Sequence, residues 1–374
     1  MTFHSEDIRA EKILTRAWNF SGKTSGIKPE GILITGPNSF IGCHVADKLF
    51  KSYRGKIHLL LRAPSISDAV AKMSQAFRQW GLDEFEEKRC ILHLGDVCQT
   101  QMGLSAEEYK ALQKETGQVI HLAMTPMYHL PYHHFQRIWL PELERMIQFC
   151  GDQKYPKFLH YASSFNANFF QTIDDFYALN TNAWQSGYAG FKWVAGKAVE
   201  NAMAQGLGAC IYDIPLVLGS EKQGICPRHY SIWLILDLFL KTGYYFPFSF
   251  RIIPVDMLSE ILIHNVLKVL EDKPAHFVRP LLNEPVTDKL FERTASNLLG
   301  LQKADLEMVR KACVHKLRFE FMMPENFYEL LEKVNHLPAV FPDDYDKAAL
   351  PATTMIFISN LNRIMSVEKE LAKV

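Results

Sequence analysis

The sequence predicts an α/β fold, a Rossmann-type doubly wound parallel sheet with a smaller, mainly helical C-terminal lobe. Three observations carry that prediction. Short apolar runs alternate with helical patterns through the first two-thirds of the chain. Those runs are nearly continuous in apolar residues rather than alternating, as expected for strands covered on both faces. The first of them ends in a glycine-punctuated turn that opens directly into an amphipathic pattern.

Taken in order, GILITG (31–36) is the first strand, and a helix follows from about Ile41. KIHLLLR (56–62) is a second strand, followed by the helical SDAVAKMSQAFRQWG. CILHLGDV (90–97), QVIHLA (118–123), KFLHYASS (157–164) and CIYDIPLVLG (210–219) complete the series. Beyond Gly219 the rhythm changes: residues 221–250 read as helical and aromatic, and RIIPVDMLSEILIHNVLKVL (251–270) as a short extended piece entering a helix. The organisation expected is an N-terminal helix and linker over 1–30, the sheet domain over 31–220 with 251–280 returning to it, and a lobe built from 221–250 and 281–374.

Composition narrows the class. Lys plus Arg equals Asp plus Glu at 41 each, in a chain of 374 residues. A zero formal charge argues against a general nucleic-acid binder. The seven cysteines are scattered and form no CxxC pair, so neither a disulfide framework nor a zinc site is expected, and a cytoplasmic location fits. The charged N-terminus lacks the apolar core of a signal peptide. The most apolar stretch, from Ser231, is interrupted by Asp237 and Lys241, so no transmembrane segment is expected, while a peripheral membrane contact stays open. YHLPYHHF resembles a metal cluster, but its histidines have no partner at ligand spacing, so no metal is expected. The charged run EFEEKR (84–89) is expected to be a solvated helix end.

The chemistry-bearing motifs lie at strand ends. Thr35, Gly36 and Gly42 stand between a strand and a helix, the context a dinucleotide loop requires. Gly36 serves the tight turn and Gly42 the close packing of helix on sheet, with free N–H groups at the helix start facing a pyrophosphate. Ser39 occupies the slot where glycine normally lets backbone approach the phosphates; it serves there if its backbone angles are ordinary, its hydroxyl donating to a phosphate. The second strand ends in Arg62 with no acidic residue beside it, which favours NADP over NAD. Tyr188 and Lys192 lie four apart on a predicted helix and share a face. A lysine ammonium near a phenol lowers its pKa and makes it a usable proton donor to a carbonyl. Ser163 and Ser164, at the end of an earlier strand, offer a hydroxyl to the same oxygen.

In these motifs the chain resembles an extended short-chain dehydrogenase/reductase, and more narrowly the thioester reductase domains of carboxylic acid reductases and nonribosomal peptide synthetases, with fatty acyl-CoA reductases as relatives. The resemblance rests on the ordered set TGPNSFIG, LLLRA, LGD followed by GLSAEEYKAL, VIHLA, LHYASS, GYAGFKWVAGK, IYDIPLVLG and IIPVDMLSE. It implies that Thr35, Gly36, Ser39, Phe40, Ile41 and Gly42 form the pyrophosphate loop, with Arg62 and Lys72 toward the 2′-phosphate of NADP(H). It places Asp96 and Val97 near the adenine, and His121, Leu122 and Ala123 along the cofactor after the fourth strand. Ser164, Tyr188 and Lys192 match the catalytic Ser/Thr, Tyr and Lys.

The chain departs from the family pattern at Ser39 for the middle glycine, at Met124 for a small residue, at Trp139 for a structural asparagine, and at Asp213–Ile214 for Arg-Pro. The activity the resemblance implies is stand-alone, NADPH-dependent reduction of an acyl thioester to aldehyde or on to alcohol, the acyl group being held by coenzyme A or by an acyl or peptidyl carrier protein. Two alternatives remain open at this level: a carbonyl reductase, dehydrogenase or epimerase acting on a sugar-, sterol- or flavonoid-like substrate, and a non-catalytic nucleotide sensor or scaffold. The aromatic stretch 230–250, with Trp233, Phe239, Tyr244, Tyr245, Phe246, Phe248 and Phe250, reads either as an acyl-facing wall or as a core helix with its following turn.

Overall fold

A computed structural model describes residues 12–18, 20, 31–127, 130–170, 186–227, 230–246, 250–271, 285–286 and 288–312. Strands β1 (Gly31–Thr35), β2 (Lys56–Leu61), β3 (Ile91–Leu94), β4 (Gln118–His121), β5 (Phe158–Ser164) and β6 (Ala209–Ile214) form one sheet in the order β3-β2-β1-β4-β5-β6. Every pairing in it is parallel. The order reverses between β1 and β4, and a doubly wound sheet offers its ligand crevice beyond the carboxyl ends of the strands at such a reversal.

Helices α1 (Phe40–Ser52), α2 (Ile66–Gln79), α3 (Ala106–Glu115), α4 (Tyr132–Cys150) and α5 (Ser186–Ala204) connect these strands. Their starts are written locally. Ser39, Ser65 and Ser105 each accept a hydrogen bond from a backbone N–H of the first turn, and Ser105 forms a reciprocal capping box with Glu108. Strand alternation then divides the core into two layers. Leu33, Val119 and Leu159 face α4 and α5, whereas Ile32, Ile34 and Ile120 face α1, α2 and α7 (Val255–Leu270). Each such fully buried aliphatic side chain contributes about 1.5–3 kcal/mol.

A buried polar chain ties α7 to the sheet. His160 on β5 shares its two ring nitrogens with Tyr212 Oη and Gln118 Oε1, both at 2.8 Å. Asn265 Nδ2 donates to Tyr212 Oη at 3.2 Å, and Gln118 Nε2 donates to the Val266 carbonyl at 3.1 Å. Burial pushes His160 down to about 3, so the ring stays neutral and the chain of partners stays intact at physiological pH.

The run 210–219 is not a single strand. β6 ends at Ile214, and β7 (Leu216–Leu218) belongs to a second sheet with β9 (Phe250–Pro254). Pro215 stands at the break, where a residue without an N–H interrupts the ladder. The aromatic stretch is likewise resolved toward the core. Phe239 on α6 (Ser231–Thr242), Tyr245 on β8 (Tyr244–Tyr245), and Phe246 and Phe250 are buried together with Leu218 and Ile252, so they do not form an acyl-facing wall. Tyr244 packs against this cluster; Phe248 and the side chain of Trp233 lie outside the described residues.

Residues 84–89 form no helix end, since α2 stops at Gln79 and only a short 3-10 turn covers Glu87–Arg89. Most of 1–30, His129, Cys313 and everything after 312 lie outside the described residues. The six described cysteines are free thiols. Among the described residues no helix is long and apolar enough to cross a membrane, and no group of three or more His, Cys, Asp or Glu is arranged to hold a metal ion.

Candidate active site

The loop after β1 is a tight turn for which both glycines are needed. Gly36 has φ +66, and a Cβ there would come within 3.0 Å of the Ala123 backbone after β4. A Cβ on Gly42 would sit 2.2 Å from the Gly36 carbonyl oxygen. Ser39, by contrast, has φ −76 and ψ 167, an extended conformation open to any residue, so no glycine is required at its position. Its hydroxyl accepts from Gly42 N–H at 3.1 Å and donates to the Gly36 carbonyl at 2.8 Å. The hydroxyl proton expected on a phosphate is therefore used inside the loop.

Of the first-turn donors, Gly42 N–H is capped by Ser39 Oγ and Cys43 N–H by the Ser39 carbonyl. The Phe40 and Ile41 N–H groups have no intrahelical acceptor and stand at the positive end of α1. The Phe40 side chain itself is core, edge-on to Trp80 and His44. This turn, with two open donors and no room for a Cβ at either glycine, fits a dinucleotide pyrophosphate.

At the β2 end, Arg62 is 75% exposed and Lys72 Nζ donates to the Arg62 carbonyl at 2.9 Å, bringing both cations to one place. Asp96 Oδ2 lies 3.8 Å from the Arg62 guanidinium, while its Oδ1 accepts from Cys98 N–H at 2.9 Å. The Val97 side chain turns away, buried among Leu60, Met102 and Leu104, so only its backbone can face a ligand.

At the ends of β4 and β5 the polar groups are buried. Thr35, His121 and Tyr161 are register partners across β1, β4 and β5, and so lie side by side on one face. Thr35 Oγ1 contacts His121 Nδ1 at 2.9 Å and accepts from the Leu122 and Ala123 N–H groups, each at 3.2 Å. The Tyr161 ring lies nearly parallel to His121 at 6.0 Å between centroids. Over Tyr161, at 5.3 Å, stands Lys192 Nζ, which donates to the Ala162 carbonyl at 2.8 Å.

Helix α5 brings Tyr188 and Lys192 onto the face that packs on β5 and α4, with Nζ 5.9 Å from the Tyr188 ring centroid. Tyr188 is buried and edge-on to Phe135 of α4. Burial lowers Lys192 to about 8, opposed by the charges of Glu142 and Asp213, so it is mainly an ammonium at neutral pH. Ser164, two residues beyond Ala162, accepts from the Asn166 N–H at 3.4 Å.

One member of this cluster, Glu142, carries no signal in the sequence, and the surroundings of Ser163 and Asp213 are set by the fold. Glu142, on α4, is buried with its Oε1 3.4 Å from His121 Nε2. Ser163 Oγ is buried with no hydrogen-bond partner among the described residues. Asp213, pairing with Ser163 across β5 and β6, accepts from Asn168 Nδ2 at 3.1 Å. A carboxylate next to a mid-helix proline, as in Pro141–Glu142, has no spacing that marks it as interior.

The family model described as male sterility protein, an NAD-binding type, matches residues 34–262, from within β1 to within α7. The chain belongs to this family. As a member of the male sterility family it is also similar to parts of large synthetases. It is 24% identical over 245 residues to one component of the linear gramicidin synthase of Brevibacillus parabrevis, a match covering 63% of this chain and 5% of that protein. It is 25% identical over 225 residues to the large subunit of the L-2-aminoadipate reductase of Eremothecium gossypii, covering 54% of this chain and 16% of that protein. The chain thus spans a small part of the length of these curated relatives.

Among solved structures, the terminal R domain of the myxalamid PKS-NRPS pathway superposes with a TM-score of 0.74 at 18% identity, covering 97% of each chain. The reductase domain of a non-ribosomal peptide synthetase from Mycobacterium tuberculosis gives a TM-score of 0.70 at 15% identity, covering 98% of this chain and 100% of that one. The resemblance read from the order of the motifs, and the Rossmann-type fold it implied, both hold.

Proposed function

We propose that the chain is an NADP(H)-dependent reductase of acyl thioesters. The observation that carries this reading is the meeting of Tyr188 and Lys192 over β5, the strand that ends in Ser164, two strands from the dinucleotide-type loop at the strand-order reversal.

Each residue then has a task that follows from its surroundings. The Phe40 and Ile41 N–H groups bind the pyrophosphate, and Arg62 with Lys72 binds the 2′-phosphate. Bound NADPH supplies the hydride. Tyr188 Oη and Ser164 Oγ donate hydrogen bonds to the thioester oxygen as negative charge develops there, which lowers the barrier by fixed electrostatic complementarity. The Lys192 ammonium, with one N–H on the Ala162 carbonyl, keeps two others for the phenol and a ribose hydroxyl. The tyrosine proton passes to the substrate oxygen and then leaves on the sulfur, so that the hemithioacetal collapses to an aldehyde and a free thiol; a second hydride and proton, from a second NADPH and Tyr188, would give the alcohol.

The acyl group arrives on coenzyme A or on an acyl or peptidyl carrier protein. A carrier is favoured by likeness of fold to a thiolation-reductase di-domain from an archaeal synthetase, at a TM-score of 0.69 and 14% identity. A cytoplasmic setting accords with the free thiols. Fold likeness also reaches vestitone reductase from alfalfa, at a TM-score of 0.55, which keeps a simple carbonyl substrate as the second reading.

The experiment that tests this follows nicotinamide fluorescence in the purified protein with NADPH or NADH, a panel of acyl thioesters, and Tyr188→Phe in parallel. Thioester-dependent NADPH consumption that falls roughly 10²–10⁴-fold in the variant is expected. Nucleotide binding without thioester turnover moves the reading to another carbonyl substrate. Binding of neither nucleotide overturns the reductase.

A further inference from the structure

The hydrogen-bond directions around His121 can be worked out from the donors present. Thr35 Oγ1 accepts two backbone N–H groups, from Leu122 and Ala123. Its own proton is therefore directed at His121 Nδ1, 2.9 Å away, which must be the bare nitrogen of a neutral ring. The ring proton is then on Nε2, which lies 3.4 Å from Glu142 Oε1. Glu142 is only 3% exposed, and among the described residues its Oε1 has no hydrogen-bond partner of good geometry, leaving His121 as its polar contact there. An ionised carboxylate in such a place is costly unless something holds it.

The same carboxylate acts electrostatically on Lys192 from the α4 side, as Asp213 does from β6. Glu142 and Arg145 both act electrostatically on Cys98; the Arg145 guanidinium donates to the Cys98 carbonyl at 2.7 Å, and its Nε is buried without a hydrogen-bond partner among the described residues. On the other side of the relay, the Ala123 backbone lies against Gly36 so closely that a Cβ on the glycine would come within 3.0 Å.

We propose that Glu142 is a positioning residue that joins the two halves of the site: through His121 and Thr35 it fixes the Leu122–Ala123 floor under the dinucleotide loop, and by its charge it holds the Lys192 ammonium beneath Tyr188. This inference rests on the reductase reading for its consequence in turnover, but not for the contacts among Glu142, His121 and Thr35. Charge and hydrogen bond are separable. Glu142→Gln keeps an acceptor for His121 Nε2–H and loses the charge, whereas Glu142→Leu loses both.

The test records His121 by two-bond proton–nitrogen correlation NMR, NADPH affinity by fluorescence titration without thioester, and the pH profile of turnover. Wild type and Glu142→Gln are expected to hold His121 as the Nε2–H tautomer and to bind NADPH within about threefold of one another. The alkaline limb of turnover in Glu142→Gln moves to lower pH, because Lys192 loses a charge that favours its ammonium; Asp213, Tyr161 and Tyr188, the other titratable groups facing it, are unchanged. Glu142→Leu is expected to give mixed His121 tautomers and about tenfold weaker NADPH binding. A wild-type Nδ1–H tautomer, or an unaltered tautomer and affinity in Glu142→Leu, overturns the relay. Should Glu142→Leu fail to fold, an unshifted alkaline limb in Glu142→Gln overturns the proposal. A wild type that binds no nucleotide defeats the reductase reading alone, since the His121 spectrum of the free protein still decides the relay.

Discussion

At the ends of β4 and β5 the polar groups are buried inside the protein, whereas at the end of β2 they stand in solvent. Lys192 is held by the Ala162 carbonyl over the Tyr161 ring, and His121 by Thr35, with Glu142 buried 3.4 Å from the other ring nitrogen. Arg62 is three-quarters exposed, and its nearest carboxylate, on Asp96, is 3.8 Å away. The contrast is one of physical task. A group that must donate to a developing charge works best when fixed in a low-dielectric setting, because nothing then has to reorganise during the reaction. A group that only has to meet a phosphate gains most by remaining a hydrated, adjustable cation until the phosphate replaces its water.

The largest effect that would sharpen this contrast is expected at Lys192. Replacing it with Met should cut turnover roughly 10²–10⁴-fold at neutral pH. In the unaltered protein, burial lowers this lysine to about 8, so the ammonium that turnover needs is lost as pH rises through that value and the rate falls on the alkaline side. A rate that stays level well above that value, together with an active Lys192→Met variant, would break the assignment of the buried cluster to chemistry.

Next in size is Gly42→Ala. The added Cβ meets backbone atoms of Gly36 and Pro37 that cannot turn aside, so the loop must shift. A loss of NADPH affinity of roughly 10–100-fold is expected, with the overall fold kept by circular dichroism. Unchanged affinity would show that this turn does not carry the nucleotide.

Arg62→Ala probes the exposed side. It should weaken NADPH about tenfold, the share of a charge-assisted hydrogen bond, and leave NADH binding untouched. Equal losses for the two nucleotides would remove Arg62 from the 2′-phosphate.

Ser39→Ala is the smallest. Removing the cap of α1 should cost about 1 kcal/mol of stability, read from the denaturation midpoint, and Ser39→Gly only a few tenths. Nucleotide affinity should hold, because the hydroxyl proton is spent on Gly36. A clear fall in affinity would mean instead that the hydroxyl turns to a phosphate when one is bound.

The parallel sheet, the position of the dinucleotide-type loop and the pairing of Tyr188 with Lys192 were all legible along the chain. They are legible because they are local: strand runs, helix caps and a four-residue helical interval are set by neighbours in sequence. It took the folded chain to show that Ser39 caps a helix where a glycine was expected, and that Pro215 sends β7 to a second sheet. The same holds for Phe239, Tyr245, Phe246 and Phe250, which fill a core, and for Glu142, which faces His121 from another element. Position 142 is separated from 121 by a strand end, a loop and half a helix, and nothing in residue type or spacing says which way that carboxylate points. Burial and charge partnership arise when distant segments pack, and a one-dimensional pattern does not encode which side chains then share an interior with no water to screen them.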